Sequence, residues 1–126
     1  MTVVAFNGSP RKNGNTSLLI DHILAEIAAA GIETEKVQLD GWKIHGCIAC
    51  YKCFDNLDQR RAGAVHTFDA INHFFTIEQM IVPGSCYRNM GFGREKGAAA
   101  GDEEGLRIMK VLGENMAWLL GRIHGE

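Results

Sequence analysis

Residues 5–21 read AFNGSPRKNGNTSLLID, and the order of residue types along them decides the fold. Val3-Val4-Ala5-Phe6 is a short unbroken apolar run, the pattern of a strand buried on both faces. A polar, glycine-spaced loop follows, and over residues 16–30 the apolar spacing becomes helical, with Leu19, Ile20, Ile23, Leu24 and Ile27 on one stripe. Gly31 stands where a helix C′ glycine belongs. Glu35-Lys36-Val37-Gln38-Leu39 then alternates as a second strand. Strand, helix and strand within forty residues make a βαβ unit, whose two strands must run parallel.

The loop between the first strand and the helix is suited to an anion. The first backbone N–H groups of a helix lack intrahelical partners, and the aligned peptide dipoles make that end positive. Ser9, Thr16 and Ser17 supply hydroxyls, Asn13 and Asn15 supply amides, and Arg11 supplies a full charge. Two standard phosphate motifs are excluded. A Walker A loop needs four residues between its glycines and then a lysine, whereas Gly8 and Gly14 enclose five and Asn15 holds the lysine position. The dinucleotide fingerprint G-x-G-x-x-G is absent as well. The remaining donor set suits a terminal monoester phosphate; the plainer alternative is a polar turn in which Asn15 or Thr16 caps the helix.

Beyond the βαβ unit, residues 40–59 are polar, irregular and cysteine-bearing. Val65, Phe68, Ile71 and Phe75 predict an amphipathic helix over 64–75, and Met80-Ile81-Val82, closed by Pro83-Gly84, is a third candidate strand. Residues 91–101 are rich in Gly and Ala and read as a flexible loop. A last helix begins near Asp102, with Glu103 and Glu104 suited to the positive end of its dipole. Its stripe is Leu106, Met109, Leu112, Met116, Leu119 and Ile123, and Trp42 and Trp118 are further candidates for the core. Three strands are few for an α/β layer fold.

At 126 residues the chain fits one domain. A net charge of −2 without a sustained basic patch argues against a nucleic-acid or anionic-membrane surface. No stretch resembles an export signal or a membrane span. Of the four cysteines, Cys47, Cys50 and Cys53 recur at x2 spacing, which in such a chain favours reduced thiols or metal ligands and a cytoplasmic location. His66 and His73 share a helix face without carboxylate or thiol neighbours and read as packing residues. Tyr87 and Asn89 follow the third candidate strand, where an open α/β sheet places ligands, although a turn with an exposed tyrosine explains them better. No Ser-His-Asp or paired-carboxylate arrangement supports hydrolase chemistry.

The stretch FNGSPRKNGNTS at residues 6–17 resembles the FMN-phosphate loop of the NADPH-dependent FMN reductase group, within the flavodoxin-like superfamily. GCIACYKC at 46–53 resembles the cysteine segment of that group's iron–sulfur flavoprotein branch, and residues 61–90 resemble the C-terminal part of those proteins. The resemblance implies a flavodoxin-like, three-layer αβα fold in which FMN lies at the carboxyl ends of parallel strands. It assigns Ser9, Arg11, Asn13, Asn15, Thr16 and Ser17 to the flavin phosphate, and Arg61, Ala62 and Gly63 to the neighbourhood of the flavin ring. FMN and NAD(P)H are the implied cofactors, and a small-molecule or protein electron acceptor is the implied partner.

Relative to the family, a central segment is missing near residues 59–62, so the chain reads as one flavodoxin-like domain, 1–126, with an internal deletion. Two strands that would flank the first are lost with it. An exposed strand edge invites pairing, which makes a homodimer the expected state. Cys47, Cys50 and Cys53 are the candidate ligands of a [4Fe–4S] cluster. A fourth cysteine is missing where the branch has one: Arg60 and Arg61 occupy that neighbourhood, Cys86 is remote, and Asp55 and Asp58 are the oxygen alternatives. The leading expectation is an FMN-binding, NAD(P)H-dependent oxidoreductase. The alternatives are an iron–sulfur flavoprotein electron carrier and a non-catalytic phosphate- or metal-binding remnant that dimerises.

Overall fold

A computed structural model describes residues 1–39 and 65–125. These fall into two compact units, one holding residues 1–39 and 84–125 and the other residues 65–83.

The first unit opens with β1 (Thr2–Asn7), α1 (Asn15–Ala29) and β2 (Glu33–Gln38). The strands pair in parallel, with Val3 opposite Thr34, Ala5 opposite Lys36 and Asn7 opposite Gln38. This is the βαβ unit that the apolar pattern predicts. Helix α1 ends as Gly31 predicts: its φ is +80°, where a side chain would be strained. The Gly31 N–H donates to the Ala28 carbonyl at 2.9 Å and the Ile32 N–H to the Ile27 carbonyl at 3.4 Å, the paired bonds of a Schellman cap.

α3 (Glu103–His124) packs against α1, and α1 against the sheet. Asp102 caps α3 by accepting from the Gly105 N–H at 3.2 Å. Ile27, Leu24, Ile108 and Met109 form the core between the two helices. The two helices approach closely at a glycine: a Cβ on Gly113 would lie 2.7 Å from the Ile23 carbonyl oxygen. The contact face of α3 therefore runs through Gly105, Ile108, Met109 and Gly113, rotated from the expected stripe of large apolar residues. Trp118 and Ile123 lie outside it, and Trp118 is 65% exposed rather than a core residue. Trp42 falls outside the described residues.

Two expectations about strands are corrected. β1 is not buried on both faces among the described residues: Val3, Ala5 and Asn7 turn toward α1, while Val4 and Phe6 are 41% and 65% exposed. Strand side chains alternate, and the described helices of this unit contribute cover to one face only. The third candidate strand also fails to form, because the described sheet has two strands and Met80-Ile81-Val82 carries no ladder pairing. An apolar, β-branched run becomes a strand only where a neighbouring edge accepts its hydrogen bonds. In the second unit, α2 (Val65–Ile77) forms where predicted, two residues longer at its C-terminal end. None of the described helices is long and apolar enough to cross a membrane.

Residues 91–101, expected as a flexible loop, include a short 3₁₀ turn (Ala98–Gly101) and side-chain anchors described below.

Candidate phosphate-binding site

The loop at residues 8–14 leaves β1 at its carboxyl end and delivers the chain into α1. Three hydrogen bonds from two side chains fold it. The Ser9 N–H donates to Asn7 Oδ1 at 3.0 Å, the Asn7 amide donates to Gln38 Oε1 at 2.8 Å, and Gln38 Nε2 donates to the Ser9 carbonyl at 2.8 Å. Asn7 is fully buried, so this closed circuit satisfies a polar group that would otherwise be costly to bury. Asn7 and Gln38 are register partners across the sheet, which explains why β2 participates in a loop it does not adjoin in sequence.

Farther along, the Arg11 N–H donates to Ser9 Oγ at 3.3 Å and the Gly14 N–H donates to the Arg11 carbonyl at 3.1 Å. Gly14 is the N-cap of α1, with extended backbone and no side-chain capping bond. A Cβ there would lie 3.0 Å from Arg11 Cβ and 3.2 Å from Arg11 O, so the tight turn favours glycine. Because no side chain caps the helix, the amides of its first turn keep the unmet donor capacity that an anion satisfies. The plainer expectation, a cap supplied by Asn15 or Thr16, is thereby ruled out: both residues lie inside the helix, after Gly14. A groove of about 420 Å³ opens beside the loop, with Asn13, Gly14, Ser17, Asp21, His22 and Gly97 in its walls.

The predicted donors divide into two groups. Ser9, Arg11, Asn13 and Thr16 lie on the loop and first helical turn, with Arg11, Asn13 and Thr16 exposed. The Asn15 side chain is committed elsewhere, and Ser17 accepts a bond that leaves its own O–H to donate. Ser17 is buried, and its hydroxyl accepts from Lys36 Nζ at 2.8 Å, while the same ammonium pairs with Asp21. The Asn15 carboxamide donates to the carbonyls of Gly93 and Glu95, and its oxygen accepts from the Ala99 N–H. Both residues can still offer backbone amides to an anion at the helix start. Lys36, Gln38, Gly93 and Ala99 were invisible as site residues. Only the strand register could have found Gln38, and no short-range signal marks the others.

The set fits a phosphate monoester: an uncapped helix start, two hydroxyls in Ser9 and Thr16, and the charged Arg11. Arg61, Ala62 and Gly63, assigned to the flavin ring, and Cys47, Cys50 and Cys53, assigned to a cluster, lie outside the described residues. Among the described residues no group of three His, Cys, Asp or Glu side chains is placed to hold a metal, and Cys86 is an exposed free thiol. Tyr87 is exposed with the Arg88 guanidinium 5.6 Å from its ring centre. Asn89 Oδ1 is buried without a hydrogen-bond partner among the described residues.

Comparison with known proteins finds relatives over part of the chain. An iron-sulfur flavoprotein of Methanocaldococcus jannaschii is 45% identical over 53 residues, covering 42% of this chain and 28% of that protein. An iron-sulfur flavoprotein of Archaeoglobus fulgidus is 43% identical over 53 residues, covering 42% of this chain and 24% of that protein. The matched part of the chain thus spans roughly a quarter of the length of these relatives. No solved structure matches it significantly. The model of the NADPH-dependent FMN reductase family matches residues 1–71, more than half of the 126, and includes all of the loop at residues 8–14. The chain belongs to the NADPH-dependent FMN reductase family.

Proposed function

We propose that this protein binds FMN by its phosphate at residues 8–17 and works as an NAD(P)H-dependent oxidoreductase toward a small-molecule or protein acceptor. One observation carries the reading: α1 begins at an uncapped glycine, in a loop braced from behind by Asn7 and Gln38. Family membership supports the choice of FMN over other phosphate esters. Bound flavin would supply hydride acceptance and onward electron delivery, chemistry that belongs to the cofactor. The chain's own task is to bind and orient. Backbone N–H groups of Asn15, Thr16 and Ser17 face the dianion, the Ser9 and Thr16 hydroxyls add directed donors, and Arg11 adds charge. Each charge-assisted hydrogen bond of this kind contributes about 1.5–3 kcal/mol.

Titration with FMN, followed by flavin fluorescence and by the amide resonances of residues 8–17, tests the proposal. Binding that inorganic phosphate weakens, with those resonances moving, is the expected result. Colourless protein whose loop amides ignore FMN overturns it and leaves the non-catalytic remnant. Oxidation of NAD(P)H with an added acceptor then separates an enzyme from a carrier.

A second reading has its own support. Cys47-x2-Cys50-x2-Cys53 occurs in a chain whose relatives are named iron-sulfur flavoproteins. On this reading three thiolates hold a [4Fe–4S] cluster that passes electrons onward. Iron and sulfide analysis of anaerobically purified protein decides it, and an iron-free sample rejects it.

A further inference from the structure

We propose that the Asn15 side chain is a positioning residue: it clasps the strap of residues 91–99 to the start of α1 and so aims the phosphate loop, without touching the phosphate. This inference rests on the phosphate-site reading above.

The donor count of a carboxamide makes the case. It has two N–H donors and one oxygen with two lone pairs. Asn15 Nδ2 gives its donors to the Gly93 carbonyl at 2.8 Å and the Glu95 carbonyl at 2.9 Å, and Oδ1 accepts from the Ala99 N–H at 3.1 Å. Nothing remains on the nitrogen for an anion, and the spare lone pair on the oxygen would repel one. Each of these partners is backbone 78 to 84 residues away in sequence.

The strap is shaped to this clasp. A Cβ on Gly93 would lie 2.5 Å from Asn15 Nδ2 and 2.7 Å from the Ala99 nitrogen, so only glycine allows the approach. A Cβ on Gly91 would meet Leu19 Cδ1 at 2.4 Å, which lays the strap directly on α1. Ala99 is fully buried. At the far end Asp102 accepts from the Phe92 N–H with one carboxylate oxygen and from the Gly105 N–H with the other. The start of α1, the strap and the cap of α3 are therefore one hydrogen-bonded assembly. Asn15 is its link to the phosphate loop, adjacent to the uncapped Gly14.

A positioning role and a contact role predict different results. Asn15→Ala and Gly93→Ala break the same clasp from opposite sides, and Gly93 lies outside the phosphate loop. Each substitution is expected to lower FMN affinity about tenfold, with the double variant no weaker than the worse single. Affinity for riboflavin, which lacks the phosphate, should be unchanged in all three; a general loss of folding would lower both. FMN should also slow hydrogen exchange at the Ala99 amide of the unaltered protein, and riboflavin should not. If Gly93→Ala keeps full FMN affinity while Asn15→Ala loses it, Asn15 is a direct ligand and the proposal falls. Should either variant fail to fold, exchange in the unaltered protein decides alone: an Ala99 amide indifferent to FMN rejects the clasp. Loop amides 8–17 that do not respond to FMN at all would instead reject the phosphate site itself.

Discussion

Two glycines on α3 offer a matched experiment on how this protein is held together. Gly113 and Gly121 are both helical, and each replaced by alanine gains intrinsic helix stability of about 0.5–1 kcal/mol. Their surroundings differ. A Cβ on Gly121 meets nothing within 4 Å, whereas on Gly113 it would sit 2.7 Å from the Ile23 carbonyl oxygen and 2.8 Å from Glu26 Cβ. An ordinary contact at that carbonyl needs roughly 0.7 Å more, the gap between 2.7 Å and normal van der Waals separation near 3.4 Å. The obstacle is backbone, so α1 and α3 must separate along the interface that holds Ile27 and Ile108, both fully buried. Overpacking of this sort costs about 1–3 kcal/mol. Set against the propensity gain, Gly113→Ala should come out destabilising by about 1–2 kcal/mol and Gly121→Ala stabilising by about 0.5–1 kcal/mol. For a chain of this size each kcal/mol moves the melting midpoint by about 3–5 °C, so the two variants should melt several degrees apart on opposite sides of the parent. Circular dichroism melts at matched protein concentration read the difference. Equal upward shifts for both would show that the helices are not in contact at Gly113, and the described packing would be wrong.

Two further outcomes follow from the side-chain bonds. Asp102→Ala removes the cap of α3 and the acceptor of the Phe92 N–H together, and should cost about 1–2 kcal/mol in chemical denaturation; a change within error would dismiss the cap as decoration. Asp21→Asn, by contrast, weakens a pair in which the Lys36 and Asp21 side chains are 29% and 57% exposed. It should cost less than about 1 kcal/mol, shrinking further as salt is added. A larger, salt-insensitive loss would mean that the ammonium bridging Asp21 and Ser17 is far more desolvated than its exposure implies.

What residue order alone determined was everything that closes over a few positions. The apolar run at Val3–Phe6, the helical stripe through Leu24 and Ile27 and the glycine at 31 predicted a parallel βαβ unit, and the unit forms with its Schellman cap. Asp102 followed by two glutamates announced the start of α3. Such features are satisfied by neighbours in the chain, so their chemistry is visible in a line of letters. The tight turn before α1 was legible for the same reason, since a glycine at a helix start acts on its immediate neighbours.

Tertiary structure decided which donors are spent. Asn15 looks like a phosphate ligand in sequence, yet Gly93, Glu95 and Ala99 consume its side chain. A polar group can be assigned to a ligand only after its other partners are known, and those arrive from distant parts of the chain. The same holds for the corrected strands and for Trp118: β-propensity and bulk say that a residue tolerates a sheet or a core, but an edge or a facing surface must be present to receive it. Gly113 makes the converse point. Having no side chain, it carries no hydrophobic signal, yet the smallest residue marks a place where two helices come close, because backbone can approach backbone only where nothing projects between them.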